Sequence, residues 1–423
     1  MKIAIIGGGP MGLAAGYYAI KKGYSVDIYE KDEVLGGMSA SFDFGGDIIE
    51  KYYHFFCKTD FPLFELLKEL NIYNKLRWKH TTMGFYYKGK LQPFGDPISL
   101  LKFDGLDIIS KIRYGFLAFY SIKLKDWTHL DNKYAIDWIK SIIGEKGYSV
   151  LWDKLFSLKF YQYQNDISAA WIWNRIKRVG LSRENAFKEI LGYVEGGVKT
   201  IIDALANYLK EHGANIYLNK GVDKIIIENN ALKGIGIKDE TIKYDKVIST
   251  VPINILSHII TDQNTANKYK DFTYLDVMCV VIKLRKPFSK HFWININDEE
   301  IKIPGIINYT ALREDIKSHI VYIPFYLPKD HELLQKDENF IKDLCKSYLK
   351  KINKDLKDED FLNFSINLYK NAQGIYSPLY LYKLPPINVA KDFYALDTTY
   401  YYPEDRGFSE SVRIAKYVVE RYL

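Results

Sequence analysis

Lys2-Ile3-Ala4-Ile5-Ile6 opens the chain with an unbroken apolar run, the pattern of a strand buried on both faces. Small residues at Ala14, Ala15, Gly16 and Ala19 mark Leu13 to Lys22 as a closely packed helix. Ser25-Val26-Asp27-Ile28-Tyr29 predicts a second strand, ended by Glu30. From about 98 to 190 the period is helical, as in Leu106 to Ile122 and Tyr134 to Ile143. Thr200 to Glu211 is an amphipathic helix, followed by strand-like Gly213 to Leu218 and Lys246 to Pro252. Alternation and apolar runs then predict strands over Val277 to Leu284, His319 to Leu327 and Phe361 to Tyr369. A helix from Asn339 to Ile352 separates the last two. Near the end, the strand Phe393 to Asp397 leads through the loop Pro403 to Ser409 into a helix from Glu410 to Tyr422.

A length of 423 residues predicts two or three domains, or one large α/β unit with an insertion, and 48% hydrophobic with 26% charged residues predicts an ordered chain. The first apolar run is broken by Gly7-Gly8-Gly9-Pro10, so it suits neither a signal helix nor a membrane span. The net charge is +7, from 59 basic and 52 acidic residues. It is dispersed, which predicts no nucleic-acid partner and leaves contact with phosphate-bearing substrates or anionic lipid open. Cys57, Cys279 and Cys345 lack metal-ligand spacing, so no metal site is expected. Free cysteines fit a reducing, cytoplasmic location. The oligomeric state stays open.

The first strand ends in Gly7-x-Gly9-Pro10-Met11-Gly12. Gly7 permits a tight turn, Gly9 lets backbone approach a pyrophosphate, and Gly12 lets the helix lie close to the strand. The helix N-terminus offers free N–H groups to phosphates. Glu30 falls 21 residues after Gly9, where its carboxylate can accept from ribose hydroxyls. Strand, glycines, helix, strand and acid therefore predict a dinucleotide site.

A second glycine pair, Gly36-Gly37, follows in the stretch Glu30-Lys31 to Met38-Ser39. This resembles the extended signature of the FAD-dependent amine oxidase, protoporphyrinogen oxidase and phytoene desaturase superfamily. Arg often follows the pair there; Met38 stands here. Gly192 to Val198, the helix after it and Gly221-Val222-Asp223-Lys224-Ile225 are similar to a second block of that superfamily. The resemblance implies that Val222 meets the adenine and that the strand ending at Thr250 returns to the nucleotide sheet. It also implies that Asp397 holds the ribityl chain or pyrophosphate, and that Gly407, Phe408 and Ser409 face the flavin ring. No cysteine follows Cys345, so the FAD is expected to be non-covalent. The implied fold is α/β: a discontinuous Rossmann-type FAD-binding domain over 1–75, 190–260 and 385–423. A mixed-sheet substrate domain with a helical cap fills 76–189 and 261–384.

His54 lies in Tyr52-Tyr53-His54-Phe55-Phe56 and is either a core histidine or a proton carrier beside the flavin. Lys159, Arg175 and Arg178 either bind a carboxylate or pyrophosphate, or are surface charges on a cap helix beside Trp171 and Trp173. Tyr376, Tyr380, Tyr382 and Tyr400 to Tyr402 are candidates for an aromatic wall over the ring. The lysine that some amine oxidases place before a Pro-Phe pair is matched by Arg285, which speaks against amine oxidation.

The expected function is FAD-dependent oxidation, with hydride leaving a C–H next to nitrogen or a C–C bond to be desaturated. The expected partner is a small molecule or a lipid- or nucleotide-linked substrate. Two alternatives remain: a nucleotide-sugar mutase working on reduced flavin, and a flavin-free lipid chaperone akin to GDP-dissociation inhibitors.

Overall fold

The computed structural model describes residues 1–423. One sheet takes its six strands from widely separated parts of the chain. In spatial order they are Asn215–Tyr217, Ser25–Tyr29, Lys2–Ile6, Lys246–Ser249, Phe393–Ala395 and Asn388–Ala390. The first five are parallel; the last pair is antiparallel. Ile3, Ala4 and Ile5 are fully buried, as the apolar run requires. Helices Pro10–Lys21, Lys199–Glu211 and Phe408–Tyr422 share one apolar cluster on this sheet. On the other side, Ile253–Ile259 and a three-stranded sheet, Lys224–Glu228, Ala231–Ile237 and Glu240–Ile242, share a second.

A seven-stranded sheet forms the other half. Its order is Phe361–Gly374, Tyr274–Leu284, His319–Leu327, Gly305–Asn308, Trp293–Asn297, Met83–Tyr87 and Lys90–Phe94. Only the pairing of Trp293–Asn297 with Met83–Tyr87 is parallel. The helix Glu338–Ile352 buries Ile341, Cys345 and Leu349 against it. The cap consists of Ile108–Lys123, Ala135–Leu151, Asp153–Phe160 and Ala169–Leu181. The second of these runs past the predicted end at Ile143 because helical turns resume after Gly144, whose φ of 76° breaks the regular backbone.

The boundaries expected at 75/76 and 189/190 meet a small sheet of their own. Leu76–Thr81 pairs antiparallel with Lys188–Val194, which also pairs with Arg183–Asn185. A buried polar network fastens the two large sheets together beside it. Glu50 is fully buried; its carboxylate accepts from Val198 N at 2.6 Å and from the Tyr309 hydroxyl at 2.5 Å. Arg313, 1% exposed, bridges the same hydroxyl at 3.0 Å and grips Asp315 through two N–H groups at 2.7 and 2.8 Å.

Candidate active site

A cavity of about 1300 Å³ runs between the sheets and under the cap. That exceeds the roughly 300–1,000 Å³ of ordinary small-molecule pockets and leaves room for a cofactor beside a substrate. Its nucleotide side is lined by Gly7, Gly9, Pro10 and Met11, then by Glu30 and Lys31. Gly37, Met38 and Ser39 join them from the second glycine pair. Val222 and Thr250 come from the middle of the chain, and Asp397, Gly407 and Phe408 from its end. A Cβ added at Gly9 would meet no atom within 4 Å, so the cradle is open where the pyrophosphate belongs. No side chain caps the helix that starts there, which leaves its N-terminal dipole for a ligand.

Gly12, Gly36 and Ser409 do not line the cavity. A Cβ on Gly12 would lie 1.9 Å from the Gly7 carbonyl oxygen, so its role is packing of the helix on the turn. Gly36 donates its N–H to the Gly8 carbonyl at 2.9 Å and shapes the second turn. Ser409 faces a separate polar cleft of about 330 Å³, and its hydroxyl accepts from Leu63 N at 3.4 Å. Glu30 accepts from Gly8 N at 2.7 Å and Asp32 N at 3.0 Å, which fixes its carboxylate at the strand end.

Asp397 lines the cavity with its carboxylate already engaged by the protein. One carboxylate oxygen accepts from Thr399 N and the Thr399 hydroxyl, the other from Ile253 N and the Tyr274 hydroxyl. Those four donors use its four lone-pair positions. Burial raises its pKa, although these bonds oppose the rise. Asp397 thus fixes the loop at the cavity wall through these four bonds.

His54 also lines the cavity, yet neither ring nitrogen is free. Nδ1 lies 2.6 Å from the Tyr52 carbonyl oxygen, so it carries the proton. Nε2 lies 3.0 Å from the Ser39 hydroxyl and accepts from it. Burial lowers the pKa, which keeps the ring neutral. His54 therefore orients Ser39 and presents no N–H to a substrate.

The cap side carries the charge. Lys159 is 3% exposed and lines the cavity. Its Nζ lies 4.6 Å from the Tyr326 ring centre, 5.3 Å from Trp171 and 5.7 Å from Phe160. No acid or hydrogen-bond acceptor pairs with it. Burial pushes its pKa well below the ordinary lysine value, and the charge of Arg175 adds to this. Arg175 bonds Asp405 and stacks over Trp171, 5.0 Å from the ring centre. Arg406 lines the same wall and donates to the Ala372 carbonyl at 2.9 Å. Burial alone would raise Asp405, but the guanidinium charges of Arg175 and Arg406 hold it at about 2. Its Oδ1 and the Trp171 indole N–H lack partners. Arg178 is committed to Asp60, with Nη2 at 2.9 and 3.2 Å from the two oxygens.

The sequence of residues 12–379 matches the profile of the family described as Flavin containing amine oxidoreductase. The chain belongs to this family. The flavin expected from the sequence, FAD, is thereby its cofactor, and the open cradle at Gly9 agrees. A 15-cis-phytoene desaturase of Synechococcus elongatus is 23% identical over 303 residues, 65% of this chain and 62% of that protein. The chain thus spans less than two thirds of this relative's length. A putative protoporphyrinogen oxidase from Exiguobacterium has the same fold, with a TM-score of 0.76 at 16% identity over 99% of this chain and 98% of that one. A reduced UDP-galactopyranose mutase also scores 0.76 at 16% identity, over 99% and 94%. The flavin-free chaperone alternative falls with the family match.

The aromatic wall differs from the expected one. Tyr401 reaches the cavity; Tyr376, Tyr380 and Tyr402 pack edge-to-face and tilted against one another in the core, and Tyr382 is 86% exposed. The wall is built instead by Tyr52, Tyr53, Phe55, Trp152, Tyr326 and Tyr369. Arg285 lies outside the cavity, with Nε on the Glu359 carbonyl, so it carries no information about the flavin. Sequence reasoning missed Arg406 and Asp405 as site residues although their loop was singled out. The Arg175–Asp405 pair spans 230 positions and leaves no local pattern.

Proposed function

We propose that this flavoprotein oxidises an apolar or anionic substrate at a C–C bond, removing hydride and proton to leave a double bond, with the FAD held non-covalently. One observation carries the reading: two guanidinium cations, Arg175 and Arg406, flank the single carboxylate of Asp405 at the cap end, with the amine of Lys159 on the same wall. An ammonium substrate would meet net positive charge there, which disfavours amine oxidation. The flavin, when bound, accepts the hydride. The neutral amine of Lys159 takes the proton that leaves the adjacent carbon. Arg175, fixed by Asp405 and Trp171, shapes the pocket around it, and the aromatic wall excludes water.

The test is anaerobic bleaching of the bound flavin. Apolar or anionic compounds with an oxidisable C–C bond bleach it, whereas amines do not. The neutral amine is the base, so the bleaching rate climbs as pH rises through the depressed Lys159 pKa. Lys159→Met removes that limb and slows bleaching about 10²–10⁴-fold. Bleaching by amines alone, or an unchanged pH profile in Lys159→Met, overturns the reading. A second reading, the nucleotide-sugar mutase, is favoured by the same arginines, which suit a pyrophosphate. It predicts isomerisation by dithionite-reduced protein without net electron loss.

A further inference from the structure

The cap helix Ile108–Lys123 is amphipathic in the wrong sense for water. Its buried positions include Ser110 and Ser121. Its exposed positions are apolar: Ile108 59%, Ile109 62%, Ile112 65%, Phe116 55% and Phe119 60%. At about 100° per residue those five fall within a single arc of roughly 100°. The short helix Pro97–Lys102 adds Ile98 and Leu101, both more than half exposed. Seven large apolar side chains on neighbouring elements exceed the scattered exposure that needs no explanation.

Cations border this face. Lys102, Lys111, Arg113, Lys123 and Lys125 lie within or beside the two helices, against Asp96, Asp104, Asp107 and Asp126. Asp107 is already engaged by Lys146 at 2.9 Å. The patch is continuous with the cavity. Tyr114, Gly115, Ala118 and Ile122 line the cavity from the same helix, and Phe119 both lines it and is exposed. No helix is long and apolar enough to cross a membrane.

We infer that this face docks on an anionic lipid bilayer, with the helix lying in the interfacial layer and the cavity mouth at Phe119 opening toward the lipid. An apolar stripe bordered by Lys and Arg is the pattern of an interfacial helix, and basic residues are attracted by anionic headgroups. Docking stands on the surface alone; delivery of an apolar substrate through the mouth rests on the desaturation reading above.

The test is co-sedimentation of the FAD-loaded protein with vesicles. It pellets with phosphatidylcholine mixed with phosphatidylglycerol, and less with phosphatidylcholine alone. Ile112→Glu with Phe116→Glu lowers vesicle affinity at least ~tenfold, since binding scales with buried apolar area. Both positions are exposed and neither lines the cavity, so flavin absorbance and the thermal transition stay as in the parent. Phe116→Trp, which keeps the apolar face, adds an emission component that shifts to the blue on mixing with the anionic vesicles. Protein that stays in the supernatant, equal pelleting by the double variant, or a Phe116→Trp difference spectrum that vesicles leave unmoved overturns docking. A parent dimer that the double variant dissociates, without vesicle binding, assigns the face to a second copy instead. Loss of flavin absorbance reports on the cofactor reading independently of the pellet.

Discussion

Gly12 shows how a motif residue acts without touching its ligand. Replacing it by Ala drives a Cβ to 1.9 Å from backbone oxygen, so the helix must move off the turn. Gly12→Ala should lower stability by about 1–3 kcal/mol, the usual cost of overpacking, read as a lower urea midpoint. An unchanged midpoint would remove the packing role. The spacing of the glycines made Gly7, Gly9 and Gly12 legible because the turn constrains each one separately. His54 was legible only as a position. Its tautomer depends on the Tyr52 carbonyl and the Ser39 hydroxyl, and composition says nothing about either. Lys159 was visible as a charge near tryptophans. Its burial and lack of an acid partner, on which the proposed base role rests, appear only when Tyr326 folds over it from the strand His319–Leu327.

At the level of elements, the first strand, its helix and the second strand follow directly from the apolar run and the small residues behind it. Contacts between distant elements were not legible. Glu50 and Arg313 lie 263 positions apart, and neither stands in a recognisable pattern. Their network joins the strand Ile48–Glu50 to the helix after Val198 and to the loop holding Asp315. Arg313→Ala leaves the Glu50 carboxylate buried without its counter-charge, which should cost about 3–5 kcal/mol. Chemical denaturation should show that loss, while an effect below about 1 kcal/mol, as at exposed pairs, would mean the network is not a fastening. The helix Ile108–Lys123 was legible as a helix from its period. That its apolar side faces outward was hidden, because a period fixes one stripe but not what covers it.

The whole molecule brings 2–29, 215–249 and 388–395 into one sheet and places the glycine turns, Val222, Thr250 and Phe408 around one cavity. Three separated motifs in the sequence anticipated this convergence, since each matches a different part of one cofactor. The cap's charge balance could not be anticipated, because it depends on how Arg175, Asp405 and Arg406 meet across the cavity. Gly9 tests the convergence most directly. Its φ of −75° and ψ of 178° are ordinary extended values, and its absent Cβ would point into empty space. Gly9→Val should therefore fold like the parent and obstruct only the cofactor. The measurement is FAD content, by absorption of the purified protein and by titration of FAD into stripped protein. The parent should carry one FAD per chain, and Gly9→Val should bind it at least ~100-fold more weakly, as displacement of a phosphate from its N–H cradle implies. A parent that takes up no FAD, or a folded Gly9→Val that holds it equally well, would contradict the account.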